Sequence, residues 1–575
     1  MIRNNMREVE ERLEALKKRM DEKLESNDVQ LNILSNASTK YVIFLSLGNP
    51  EVRAKVVNAS GNNCEKVWQK VKKSAIKLIQ RSYFDPQWIK LDIVTNVEEW
   101  GFPDFEEYIK HVKRNYFRKG IAFDDEFRLA LLEQEINGFS LIRSKQGHPQ
   151  ELDEININHY MKYRYNQKFP FYKNYYCNKK IYLFETMAFF DENSEIYELY
   201  NGELTTGIRK VHNLECELHN LIKKSASFLV NEVEENGKFE YGYFPCFAKR
   251  IPTYNILRHS STLYAMAEAF EYLGDEEIRE GIERGIDYLI NNAIVYKEDC
   301  AYVVDYANDN EIKLGANAHA ILALTKLMQV TNDYQYLELA RSLGRGIISM
   351  QKEDGGFLHV LEYPSFKIKE AFRIVYYDGE AVFALLRLYD LDRQENWLNK
   401  IKDAFDFLIA NDYWKYHDHW LSYAANEITM YIPEDQYFIF GLKNCHARLN
   451  FIYHRNTTYP TFLELTMAAF KMVRKIEELG KEYLFEYIDK DFLLQTIDKR
   501  AEYQRVGFCY PELVMYFKEP GLILNGFFIR HQAFRVRIDD IEHNLSGYIH
   551  YLTYRLPELK ESKDLTSSSR NHPLL

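Results

Sequence analysis

Hydrophobic positions recur with two different periods along this chain, and the change of period divides it. From about residue 206 to 556 apolar residues return at three- and four-residue steps, interrupted regularly by Gly, Asn or Asp turns. Three segments there can be laid over one another: RHSSTLYAMAEAFEYLGDEEIREGIERGIDYLI from Arg258, ANAHAILALTKLMQVTNDYQYLELARSLGRGII from Ala316, and YDGEAVFALLRLYDLDRQENWLNKIKDAFDFLI from Tyr377. Each opens with small and polar residues, runs into an Ala/Leu-rich helix, turns, and continues as a more charged helix. The first helix is apolar nearly all round, which predicts burial on both sides; the second carries charge on one face, as an outer helix should. The starts are 58 and 61 residues apart, longer than the roughly 33–47 of common solenoid repeats. The surplus lies in loops such as 352–377. Further helical pairs fit 208–235, 422–455 and 460–500, with a last helix at 538–552. About six hairpins result, enough to close a ring.

Upstream the pattern differs. Residues 1–38 predict a charged helix with a narrow stripe of Val9, Leu13, Leu16, Met20 and Leu24. That stripe serves either a short coiled coil joining two chains as a homodimer or an arm lying on its own protein. Residues 39–145 predict a small α/β domain, with strands at 41–47, 53–60 and 88–97 and a helix over 64–80. It has no Gly-rich phosphate loop. Its acidic groups worth testing are Asp92, Asp124 and Asp125, for which a solvated strand end and a helix N-cap are the simpler explanations. Residues 146–205 are Tyr-rich and predict a long connection; 557–575 predict a disordered tail. The expected fold class is mainly α: a ring of hairpins, a small N-terminal α/β domain and an N-terminal helix.

Composition narrows the function. A net charge of −11 argues against broad nucleic-acid or anionic-membrane binding, which needs a basic face. The seven Cys are scattered without a CxxC pair, so neither a disulfide framework nor a zinc ribbon is indicated, and no metal or cofactor is expected. The N-terminal stretch lacks an apolar signal region and no run reaches membrane-spanning length, so a cytoplasmic protein is expected.

The inner/outer alternation and the phrases RHSSTLYAMAEAF, GANAHAILAL, QKEDGGF and YYDGEAVFALLRLYD resemble the (α/α)6 toroids of six-hairpin glycosidases, uronyl epimerases and polysaccharide lyases. The resemblance is architectural and covers about 60% of the chain. It implies a carbohydrate-active hydrolase, epimerase or lyase acting on an acidic polysaccharide or glycan precursor in a central cavity. Fold alone does not settle function. A non-enzymatic helical-repeat scaffold remains open and predicts that the polar groups of the inner helices satisfy one another. So does a zinc enzyme resembling lanthionine cyclases, whose adjacent Cys-His pair is matched by Cys445-His446, although Ala447 stands where that family has Gly.

In such a ring the inner-helix N-termini line the mouth. Aligning the repeats makes His259, Asn317 and Asp378 equivalent, and two residues on Ser261, His319 and Glu380. Capping explains one polar position per helix but not two. Asp378 and Glu380 are candidate acid and base, with Tyr377 beside them and Asp354, Glu427 and Glu464 as further carboxylates. A second cluster, GFFIRHQAFRVRIDDIEHNLSGYIHY, holds Arg530, Arg535, Arg537, Asp539, Asp540 and His543. A helix starting near Ile538 would bring Asp539 or Asp540 to His543, orienting a general base. The expected roles are catalysis for Asp378, Glu380, His259, Asp540 and His543. Substrate binding falls to Arg258, Asn317, His319, Arg537, Asp539, Tyr377, Glu427 and Glu464, with Lys249 and Arg250 bringing charge to the same mouth.

Overall fold

The computed structural model describes residues 2–26, 30–33, 40–144, 148–166, 170–202 and 205–560. It divides into two compact units: residues 1–212, 243–250 and 506–536, and residues 213–242, 251–505 and 537–575. Most of the expected C-terminal tail, 561–575, lies outside the described residues.

The first unit is built on a seven-stranded antiparallel sheet. Its order is Lys55–Gly61, Tyr41–Gly48, Trp88–Gly101, Lys180–Glu192, Gly120–Ala122, Ala130–Leu131, with Glu195–Glu198 also pairing to Lys180–Glu192. YVIFLSL is apolar at successive positions, so both faces of its strand must be covered. Ile43, Leu45 and Leu47 pack on one face against Val9, Leu13, Leu16 and Met20 of helix Ile2–Glu25 and Val67, Trp68 and Val71 of helix Cys64–Ser82. Val42 and Phe44 pack on the other with Phe184, Met515 and Tyr516. The stripe of the N-terminal helix is therefore buried in the chain's own core, the arm rather than the coiled-coil use.

Two further expectations change here. The Tyr-rich stretch is not a connection: it supplies Lys180–Glu192, paired along its length with Trp88–Gly101. Asp92 is not solvated but fully buried, 2.8 Å from Lys90 Nζ and 2.9 Å from Thr186 Oγ1. Asp124 accepts backbone N–H bonds from Glu126, Arg128 and Leu129, a turn rather than a helix cap.

The second unit alternates outer and inner helices. The outer ones are Leu214–Glu232, Glu276–Ala293, Leu337–Ser349, Glu395–Ala410, Asp435–His454 and Lys490–Tyr503. The inner ones are Ile256–Leu273, Leu314–Thr331, Tyr376–Asp392, His419–Tyr431, Thr461–Glu478 and Ile538–His550. Each inner helix packs on the next, and Ile538–His550 packs back on Ile256–Leu273, closing a ring of six hairpins. The second inner helix is buried without interruption from Leu314 to Met328, as its unbroken apolar character predicts. The surplus loops form a five-stranded antiparallel sheet from Ile294–Lys297, Cys300–Asp305, Glu311–Lys313, Val360–Glu362 and Lys367–Glu370. No described helix is long and apolar enough to cross a membrane.

Because Leu16 is fully buried in the sheet core, Leu16→Ala is expected to cost about 2–5 kcal/mol. Chemical denaturation checks this; a loss near zero would detach the helix from that core.

Candidate active site

On an α-helix, positions two apart differ by about 200° around the axis. The two polar positions shared by the repeats therefore face opposite ways. The first set points outward. His259 is fully buried; its Nδ1 lies 2.8 Å from Tyr254 Oη and its Nε2 2.9 Å from the carbonyl of Gly285 on an outer helix. Burial pushes its pKa down to about 4. Asn317 Oδ1 accepts from Val303 N and its Nδ2 donates to the Lys313 carbonyl. Asp378 Oδ2 lies 3.0 Å from His359 Nε2, and burial raises its pKa. These three pin inner helices to their surroundings. His259 and Asp378 have no place in a central acid–base pair, and Asn317 is spent on backbone groups rather than substrate.

The second set faces the centre. Ser261 Oγ donates to Glu542 Oε2 at 2.5 Å. His319 Nε2 stands 3.4 Å from Glu380 Oε1, and its ring meets Trp420 edge-on at 4.7 Å. Glu380 can come this close because residue 315 is Gly: a Cβ there would lie 2.0 Å from Glu380 Oε2. Tyr377 is nearly buried beside them.

His543 joins this group but not with the expected partner. Its Nδ1 is 3.0 Å from Glu464 Oε2 and its Nε2 3.7 Å from Glu542 Oε1, so Glu464 and Glu542 replace Asp539 and Asp540 as its nearest carboxylates. Asp539 is instead gripped by two arginines: Arg258 Nε at 2.6 Å and Arg537 through its Nε and Nη2. Burial works against its charge, but the two guanidiniums hold its pKa at about 2. Asp540 is buried near Arg537, and its backbone carbonyl receives Asn544.

A residue that sequence reasoning missed sits at the middle. His419 opens the fourth inner helix, its Nδ1 3.2 Å from Asp418 Oδ1 and its Nε2 4.0 Å from Glu464 Oε2. Its ring meets that of His543 at 5.1 Å and 86°. A helix read from 422 leaves HDHW, residues 417–420, outside it. Tyr423 donates to Glu464 Oε1 at 3.2 Å. Burial holds His419 down to about 3. For His543 burial also disfavours charge, but Glu464 and Glu542 overcome it and raise the pKa to about 10. Burial lifts Glu542 to about 8.

Several of these atoms have no hydrogen-bond partner among the described residues: His319 Nδ1, Glu380 Oε2, His419 Nε2, Glu464 Oε2 and His543 Nδ1. His543 Nδ1 and Glu464 Oε2 approach closely without hydrogen-bond alignment. Native interiors leave few such groups. One nitrogen or oxygen each of His419, Glu464 and His543 lie within 4.8 Å of one another, a spacing that a divalent ion with two His and one Glu ligand could also use.

The remaining candidates lie elsewhere. Glu427 pairs with Arg387 at 2.9 Å toward the other end of its helix. Asp354 caps a turn by accepting from Gly356 N. Lys249 and Arg250 belong to the first unit, in a short strand beside Tyr243 and Phe244, as do Arg530 and Arg535. Cys445 is buried and His446 exposed on an outer helix, and among the described residues the two belong to no cluster of metal-ligating side chains.

No protein-family model and no curated protein matches the chain. Solved structures do. A sugar epimerase from a ruminal bacterium aligns with 14% identity and a TM-score of 0.47, covering 60% of this chain and all of that one. The cellobiose 2-epimerase of Bacillus thermoamylovorans aligns with 13% identity and a TM-score of 0.47, covering 60% and 99%. A GH76 α-mannanase of Bacteroides thetaiotaomicron aligns with 10% identity and a TM-score of 0.43, covering 60% and 97%.

His259 supplies a test of the outward set. Its folded pKa lies below the unfolded value, so folding is penalised as pH falls from about 6.5 toward 4, by about 3 kcal/mol in all. The stability difference between wild type and His259→Phe should therefore shrink over that range; calorimetry at pH 7 and pH 4.5 reads it.

Proposed function

We propose that this chain is a carbohydrate-active enzyme that moves a proton on and off a sugar carbon beside its carbonyl, an epimerase or isomerase reaction, with His419 and His543 as the acid–base pair. The supporting observation is the arrangement of the two rings, face to edge at 5.1 Å, each with a nitrogen near Glu464 Oε2 and without a hydrogen-bond partner. Two titratable groups whose surroundings drive their pKa values apart mark an acid and a base. His419 is the neutral member and would take the proton from carbon; His543 is the charged member and would protonate the developing oxyanion. Returning a proton to the opposite face of the same carbon inverts it. Returning it to the neighbouring carbon interchanges aldose and ketose.

The other inward groups suit a polyhydroxylated substrate. His319, Glu380 and Ser261 offer donors and acceptors from two further helices, beside Tyr377 and the Trp420 ring. Arg258 and Arg537 both hold Asp539, and Arg537 Nη2 also stands 3.9 Å from Asp540 Oδ1, so these charges balance one another. The scaffold reading requires mutually satisfied inner-helix groups, and the unpartnered atoms around Glu464 speak against it. Asp378 and Glu380 do not act as a glycosidase pair in this reading, since they face opposite sides of their helix.

The test is proton exchange. Free reducing sugars, uronic acids included, are incubated with the protein in D2O and followed by NMR. Deuterium at the carbon beside the carbonyl is expected, with a new epimer or ketose. His419→Gln and His543→Gln should each lower the rate about 10²–10⁴-fold while keeping the melting temperature. Hydrolysis of oligosaccharides without exchange would overturn the reading. An equimolar metal found by mass spectrometry, with activity lost to a chelator, would replace the acid–base pair by a metal held on His419, Glu464 and His543.

A second expectation concerns Glu380. Gly315→Ala should push its carboxylate away from His319 and lower turnover, with steady-state kinetics showing more loss in kcat than the melting temperature explains.

A further inference from the structure

The ring has a cavity between the C-terminal halves of the inner helices, away from the helix starts that carry His319 and His419. It encloses about 460 Å³, within the roughly 300–1,000 Å³ of small-molecule sites. Charged side chains line it, among them Glu268, Lys326, Arg387, Glu427, Lys471 and Lys475.

The carboxylates in its wall are Glu268, Glu271, Glu427 and Glu478, and the first three are already engaged. Glu268 accepts from Ser546 Oγ at 2.5 Å and lies 3.3 Å from His550 Nε2. Glu427 receives Arg387 at 2.9 Å, and Glu271 receives Lys326 at 2.7 Å. Two ammonium groups are not matched in this way. Lys471 makes no hydrogen bond or ion pair among the described residues; its amine stands 4.1 Å from the centre of the Tyr554 ring. Lys475 donates only to neutral acceptors, the Asn426 carbonyl at 3.1 Å and Thr429 Oγ1 at 3.0 Å. Being four residues apart on one helix, they share a face. Burial lowers the pKa of both to about 8.

Cations at a helix C-terminus ordinarily answer the helix dipole, which accounts for Lys475 in the last turn of Thr461–Glu478. Lys471 stands about one turn further in, where that effect has faded. Glu268 and Glu427 favour the charge of Lys471, and Glu427 and Glu478 that of Lys475, but only from beyond ion-pair distance; a half-buried ammonium without a direct partner is costly. An anion with several oxygens would meet both amines at once.

We propose that this cavity is a binding site for a phosphate group, free or carried on a small molecule, held by Lys471 and Lys475. The site is separate from the acid–base centre, but Tyr423 belongs to both: its ring lines the cavity and its hydroxyl bonds Glu464.

The experiment titrates inorganic phosphate into the full-length protein by calorimetry, without sugar, against chloride at matched ionic strength. Saturable binding of phosphate and none of chloride is expected. Lys471→Met should weaken it at least tenfold, and Lys471→Arg should restore most of it. Lys475→Met gives an independent reading should Lys471→Met disturb packing, which its melting temperature without phosphate reports. Phosphate binding no tighter than chloride, or equal binding by well-folded Lys471→Met and Lys475→Met, would overturn the proposal. Because no sugar is present, this outcome is independent of whether the epimerase reading holds.

Discussion

Every inner helix of the second unit is squeezed from two sides, by the outer layer behind it and by its ring neighbours in front. A polar side chain on the buried length of such a helix must find its partner within reach of the helix surface, because little solvent is there to accept it. This is why direction around the axis, rather than residue type, separates support from chemistry. His259 and Asp378 look like catalysts in composition. Their direction commits them to Gly285 and His359 and makes them struts. Residues two further on turn into a space where six helices converge, and there the side chains meet one another across the ring.

The inward groups are unequal, and electrostatics sorts them. Asp539 is stabilised as an anion by two guanidiniums, so it is a fixed charge rather than a proton carrier. Glu542 has only the His543 ring at 3.7 Å to favour its charge, and burial outweighs it and pushes the group toward the neutral form. The two imidazoles diverge in the same way: His543 lies against Glu464 and Glu542 at 3.0 and 3.7 Å, while His419 has Glu464 only at 4.0 Å, and burial pushes its nearer neighbour Asp418, at 3.2 Å, toward the neutral form. Small differences in distance, amplified by low polarity, give one ring a proton and deny it to the other.

The sequence carried the ring well. Its repeat predicts buried inner and amphipathic outer helices, the start at Ile538 and the equivalence of Ser261, His319 and Glu380. What it could not carry was direction, which needs the helix phase relative to the ring axis, and partners from distant segments. Glu464 and His543 are far apart in the chain yet touch. His419 was lost because its helix begins three residues earlier than the apolar run suggests; Asp418 caps it through Trp420 N and Leu421 N. The first unit was less legible. Lys180–Glu192 is rich in aromatic residues and sits far downstream of its sheet neighbours, so local pattern reads it as linker. The short segments 243–250 and 506–536 carry no signal at all of belonging there.

That last division has a bearing on synthesis. Met515 and Tyr516 are core residues of the first unit, and Arg53 Nη1 bonds the carbonyl of Tyr516 while its Nη2 bonds that of Cys246. As the polypeptide leaves the ribosome its amino-terminal sheet can form early, but one face stays uncovered until some 500 residues have been translated. The ring, too, waits for Ile538–His550 to close it. Both units reach completion within the same short stretch of elongation, so the nascent chain spends most of its production time with exposed apolar surface in two places. Surface left open in this way is where aggregation competes with folding.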